Sequence, residues 1–261
     1  MVVMNLENGR TFVRFGTREI ISWHARIQAE MALFATMEQV TPSNRRIRSF
    51  ALRGERMTKA QAEALVDHWN RFEIPLKGTI DPHSLFYSFA PNEVIFEIGS
   101  GMGEATAAIA EANPQNGYVA VEVHKPGIGA LVIRAEKAGL RNLKIIQGDI
   151  WDVLTNHVAD GTVDGFHIFF PDPWPKRRQN KRRLLKPDFL KILADKTKPG
   201  GFVRIATDWL PYAIEIEKNF IEVKEWSGGK ISRPDWRPVT KFEGKGISKD
   251  HVVTDFLYTK I

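Results

Sequence analysis

Carboxylates close successive apolar runs of this chain at Glu97, Glu122, Asp149 and Asp172, and Asp208 closes another. The first acid opens Glu97-Ile98-Gly99-Ser100-Gly101-Met102-Gly103, where Gly99 and Gly101 permit a tight turn and close approach of a ligand to the backbone. The spacing is G-x-G-x-G, not the G-x-G-x-x-G of dinucleotide binders. Glu97 would repel a pyrophosphate at short range but suits a cation. Glu122, nineteen residues past Gly103, can accept both hydroxyls of a ribose. Asp149, in Gln147-Gly148-Asp149-Ile150, can accept from an adenine amino group. Each acid alone is an ordinary strand-end or turn residue. Three in succession behind a glycine turn point to an adenosine that carries positive charge, as S-adenosylmethionine does in its amino group and sulfonium.

The fourth acid lies in Phe170-Pro171-Asp172-Pro173-Trp174-Pro175-Lys176. Prolines on both sides stiffen the backbone around Asp172, and Trp174 offers a flat face for a base. A basic run begins at once. Of 37 Lys and Arg residues against 31 Asp and Glu, seven lie between Lys176 and Lys186, with no acid among them. Without those seven the chain has 30 bases for 31 acids, so the whole surplus of +6 is focused there. Focused charge of this kind points to an anionic partner, and Arg178, Lys181, Arg182 and Arg183 are candidates for phosphate contacts. A rigid acid, an aromatic and a phosphate-seeking run together suit an enzyme acting on a nucleobase.

Such residues need a scaffold that brings strand ends together. Apolar strands are predicted at 94–98, 118–122, 143–146, 165–170 and 201–206, with helices at 104–112, 127–138 and 187–197, and a late strand over 251–258. Strands separated by helices imply right-handed crossovers and a mostly parallel α/β sheet of about seven strands, covered on both faces. Ligands of such sheets bind beyond the carboxyl ends of the strands, where the acids stand. Upstream, Thr58-Lys59-Ala60-Gln61 resembles a helix start, and Ala62, Leu65, Val66 and Trp69 follow as an apolar stripe. Residues 1–55 show no sustained period. They are expected to form a partly mobile N-terminal extension, basic near its end (Arg45, Arg46, Arg48, Arg53), before a catalytic domain over 56–261.

A 43% hydrophobic and 26% charged composition excludes wholesale disorder. No apolar run is long enough to cross a bilayer, and MVVMNLENGR lacks the pattern of a secretory signal. The absence of cysteine removes disulfides, thiolate catalysis and cysteine-ligated zinc, and suits a reducing, cytoplasmic setting. No metal and no membrane partner are expected.

Pro171-Asp172-Pro173-Trp174-Pro175-Lys176, followed by Lys181-Arg182-Arg183, resembles the signature of bacterial tRNA (guanine-N7-)-methyltransferases. The likeness runs back through Glu97–Gly101 to Arg48-Ser49-Phe50, and forward through Thr207-Asp208-Trp209 and Thr240-Lys241-Phe242-Glu243. The proline-rich segment is highly specific, whereas the glycine turn is shared across the superfamily. Gln179 stands where the family usually has histidine, and the extension before Arg48 is longer than usual. The resemblance implies a Rossmann-like class I methyltransferase that uses S-adenosylmethionine to methylate a guanine in the tRNA variable loop. It implies cofactor contacts at Glu97, Glu122, Asp149 and Asp172, with Asp172 also catalytic, and substrate contacts at Lys176, Asp208 and Thr240, Lys241, Phe242 and Glu243.

Three other classes fit parts of the pattern. Another class I nucleic-acid methyltransferase, with an rRNA or amino-group target, is one; an amino-methyltransferase acting on adenine or cytosine uses a related Asp-Pro-Pro-aromatic turn, but here tryptophan follows the first proline directly. A dinucleotide-dependent reductase is disfavoured by the glycine spacing. A non-enzymatic RNA-binding module explains the basic run but not the acids at the strand ends.

Overall fold

The computed structural model describes residues 3–7, 10–14, 46–51, 54, 56–241, 243–244 and 252–261. The chain divides into two units, Met1–Arg46 and Ile47–Ile261. In the first, β1 (Val3–Glu7) and β2 (Arg10–Arg14) pair antiparallel. The periodicity of residues 1–55 did not anticipate this hairpin, although Asn8-Gly9 between the two runs is a strong hairpin signal. Arg45, Arg53 and His251 lie outside the described residues.

The second unit opens with α1 (Lys59–Phe72). Its predicted start is a capping box: Gln61 N–H donates to Thr58 Oγ1 at 3.3 Å, and Thr58 N–H to Gln61 Oε1 at 2.8 Å. The predicted apolar stripe is borne out in part, because Leu65 and Trp69 pack half-buried against the core. Gln61, Ala64 and Phe72 are buried, whereas Val66 is 84% exposed.

The sheet of this unit is built from β3 (Val94–Ile98), β4 (Gly117–Glu122), β5 (Leu143–Gln147), β6 (Val163–Phe169), β7 (Thr197–Thr207), β8 (Trp226–Ile231) and β9 (Thr254–Lys260). Their spatial order is β5-β4-β3-β6-β7-β9-β8, with β9 antiparallel to both neighbours and the first five strands parallel. Every residue of β3 and β4 is buried, as expected of strands covered on both faces. α2 (Glu104–Ala112) and α3 (Lys125–Lys137) join α1 on one face, around Ile95, Tyr118 and Ile145. α4 (Ile150–His157), α5 (Pro187–Lys196) and α6 (Leu210–Glu222) cover the other, around Phe96, Phe166 and Val203. β8 was not predicted. Its sequence, WSGGKI, carries two glycines and is mostly exposed at the sheet edge, so neither alternation nor burial marks it.

The order reverses between β3 and β6: β4 lies on one side of β3 and β6 on the other. The carboxyl ends of these strands therefore diverge around a crevice, and the acids found in the sequence stand along it.

Candidate active site

Gly99, Gly101 and Gly103 all adopt left-handed backbone, with φ of 73°, 56° and 73°. The first two face open space, so the turn they form leaves room for a ligand. Gly103 plays a different part. A Cβ there would lie 2.6 Å from Leu131 of α3, so this glycine seats the helices together. Gly127 completes the approach, since a Cβ on it would fall 2.3 Å from the Gly101 carbonyl oxygen.

Glu122 at the end of β4 fixes the turn. Its Oε2 accepts from Gly101 N–H at 2.8 Å, and its Oε1 from Val123 and His124 N–H at 2.7 and 2.9 Å. Glu97 has no such support. It is 4% exposed and its Oε2 has no hydrogen-bond partner. Burial, reinforced by the Glu122 charge, pushes its pKa up to about 8. Asp149 caps α4 by accepting from Trp151 N–H at 3.2 Å, and Gly148 N–H donates to the Glu122 carbonyl at 3.1 Å. One continuous cleft is lined by Glu97, Gly99, Gly101, Glu122, Asp149 and Asp172. A buried carboxyl with an unpartnered oxygen, an open glycine cradle and acids at both ends fit a cationic adenosine derivative such as S-adenosylmethionine.

The proline-rich turn is held by its flanks. Among the described residues Phe170 and Trp174 are the non-glycine ones with positive φ, at 52° and 45°, and they bracket Pro171-Asp172-Pro173. Trp174 Nε1–H donates to the Ser49 carbonyl at 2.9 Å. Arg182 stacks 4.1 Å from the centroid of the Trp174 ring and donates to the Phe50 carbonyl. Trp174 thus braces the turn, with one face taken by Arg182. Asp172 is left exposed at the cleft, and Ser49 and Phe50 line the same cleft.

The basic run divides by orientation. Lys176, Arg177, Arg178 and Lys181 are exposed. Arg183 is buried, donating to the Pro173 carbonyl at 2.8 Å and pairing with Glu215. Arg183, expected to meet a phosphate, is committed inside the fold instead, whereas Arg182 is half-buried over Trp174 at the end of the 3₁₀ turn Arg177–Arg182.

Among the remaining candidates, Thr240 and Lys241 line the cleft, and Lys241 N–H donates to Glu104 Oε2 at 2.8 Å. Phe242 lies outside the described residues. Glu243 is buried rather than facing the cleft. It pairs with Arg237 at 2.9 Å and Arg233 at 3.4 Å, while Arg237 also forks onto Asp255 at 2.9 and 3.1 Å. The Arg237 guanidinium sits 5.9 and 5.6 Å from the rings of Phe169 and Phe170, so this buried network supports the end of β6. Asp208 follows β7 at the carboxyl edge but does not line the cleft, and the N-cap of α6 is Trp209. Sequence reading missed Ser49, Phe50, Glu104 and Arg134 as cleft residues, and nothing local in their spacing marks them.

Among the described residues no group of three or more His, Asp or Glu is placed to hold a metal ion, and no helix is long and apolar enough to cross a membrane. The strand order, the antiparallel β9, the glycine turn and the acids at the strand ends define a class I methyltransferase. A 16S rRNA (adenine(1408)-N(1))-methyltransferase from Catenulisporales acidiphilia shares this fold at a TM-score of 0.50 and 15% identity, over 70% of this chain and 92% of that one. Residues 91–256 match the family described as "Putative methyltransferase". A tRNA (guanine-N(7)-)-methyltransferase of Nitrosomonas europaea is 44% identical over 221 residues, covering 82% of this chain and 96% of that protein. One from Streptomyces avermitilis is 42% identical over 224 residues, covering 83% and 76%. The chain belongs to the tRNA (guanine-N(7)-)-methyltransferase family.

Proposed function

We propose that this protein transfers the methyl group of S-adenosylmethionine to N7 of a guanine in the variable loop of tRNA, leaving 7-methylguanosine. The reading is carried by the convergence of Glu97, Glu122, Asp149 and Asp172 on one cleft, with exposed bases beginning four residues past Asp172. Family membership supports the base and the atom. A tRNA substrate, and a chain without cysteine, support a cytoplasmic setting.

S-adenosylmethionine, when bound, supplies a methyl carbon made electrophilic by its sulfonium. Asp149 suits the adenine amino group, Glu122 the ribose hydroxyls, and Glu97 the positive charge at the far end. Guanine N7 offers an in-plane lone pair and has no proton to lose. The protein therefore needs no general base, and its task is to hold the reactants in line. Positive charge develops on the imidazole ring of the base as the methyl arrives. Asp172, on a turn stiffened by two prolines and braced by Trp174, offsets that charge and accepts from the guanine N1–H and amino edge. Lys176, Arg177, Arg178 and Lys181 grip phosphates, and Thr240 and Lys241 meet the substrate where they line the cleft.

The test is to incubate the protein with unmodified tRNA and methyl donor and map the product nucleoside. A 7-methylguanosine in the variable loop is expected. Methylation only of ribosomal RNA, or of an exocyclic amino group, overturns the reading.

A further inference from the structure

We propose that Arg134 holds the carboxylate at the amino-acid end of S-adenosylmethionine, an assignment that rests on the cofactor reading above. That end of the ligand carries an ammonium and a carboxylate. The cleft around it is rich in acids, with Glu97, Glu104 and Glu122 on its wall. An ammonium is welcome there, but a carboxylate is repelled unless a permanent cation stands beside it.

Among the described residues Arg134 is the guanidinium that lines this cleft, reaching from α3. Its Nε–H donates to the Met102 carbonyl at 3.1 Å, inside the glycine turn, and its Nη2–H to Glu104 Oε1 at 3.2 Å. These bonds aim the group at the loop that would carry the ligand. They use two of the five donors of the fork and leave the others for a planar, bidentate acceptor such as a carboxylate. Its side chain is 40% exposed, so it remains hydrated until a ligand arrives and the fold bears little of its desolvation. Lys241, the other permanent cation on the same wall, is held there through its backbone N–H.

The experiment is a binding cycle by calorimetry, with S-adenosylhomocysteine and its decarboxylated analogue as the probes, on the wild type and on Arg134→Gln. The analogue lacks only the carboxylate. Arg134→Gln is expected to weaken S-adenosylhomocysteine about 10- to 100-fold, the range for a charge-assisted hydrogen bond, and to leave the analogue unchanged. Arg134→Lys, which keeps the charge without the fork, is expected to retain part of the difference. Equal loss on both ligands, or no loss on either, overturns the assignment and leaves Arg134 as the partner of Glu104 alone. A wild type that binds neither ligand overturns the cofactor reading itself, and this assignment with it.

Discussion

The carboxylate of Glu122 accepts the backbone N–H of Gly101 at 2.8 Å, so the acid ending one strand sets the shape of the glycine turn that leaves its neighbour. Three backbone donors depend on this side chain. Glu122→Ala removes a proposed ribose contact and strands those donors together. Cofactor affinity is expected to fall by about 1–3 kcal/mol and folding stability by a comparable amount. Calorimetry with S-adenosylhomocysteine beside thermal unfolding checks both. Wild-type affinity in a destabilised variant would confine Glu122 to the turn.

Glu97 predicts a pH dependence with a definite sign. Its pKa in the folded protein is raised from 4.5 to about 8 by burial, so the fold binds this proton more tightly than the unfolded chain does. Its contribution to stability is fully present below about pH 4.5, is lost as pH rises towards 8, and is constant above. Placing a cation beside Glu97 favours its ionised form, so cofactor binding should release a proton and strengthen as pH rises to about 8. Calorimetry at pH 7 in two buffers of different ionisation enthalpy measures the release. Glu97→Gln should abolish that part of it; an undiminished release in the variant would place the titrating group elsewhere.

The division of the basic run gives opposite expectations for its members. Neutralising Arg177, Arg178 and Lys181 should lower tRNA affinity and flatten its salt dependence by roughly 0.9 for each duplex phosphate no longer neutralised. Arg183→Gln should instead cost stability, about 1–3 kcal/mol, by leaving Glu215 and the Pro173 carbonyl without their donor. Filter binding over a salt series and thermal melts separate the two. A flattened salt slope in Arg183→Gln would return that residue to the RNA.

Asp172→Asn keeps the shape of the side chain and removes its charge. Single-turnover methylation at saturating tRNA and cofactor should slow by about 10²–10³, the scale of lost electrostatic stabilisation. Overall tRNA affinity should change much less, because phosphate contacts dominate it. Normal binding with near wild-type methylation would reduce Asp172 to a strand cap.

The parallel half of the sheet and its acids were legible because local signals agree there. Glu97, Glu122 and Asp149 each stand within two residues of the end of an apolar strand, and the glycines of the turn have the conformation their spacing demands. The remainder depends on residues distant in the chain. Glu243 was expected at the substrate, and nothing local joins it to Arg237 and Asp255, which meet only when β9 brings Asp255 beside Arg237. Arg183 looked like its basic neighbours, because only the following Leu184-Leu185, both buried, hints that the chain has turned inward. Ser49 and Phe50 reach the cleft through hydrogen bonds spanning more than a hundred residues, from Trp174 and Arg182, and no local period encodes such a pairing.

The position of β9 also bears on the order in which a growing chain can assemble. It inserts between β7 and β8, both of which precede it, so a ribosome delivers the two outer neighbours before the strand that joins them. Until β9 emerges, β7 presents an unpaired edge and β8 has no sheet to join. Arg237 also waits for Asp255, and Phe169 and Phe170 for the guanidinium packed against them. The glycine turn can form early on the nascent chain, whereas the wall that carries Asp172 gains the Arg237–Asp255 part of its support only when the antiparallel strand slots in.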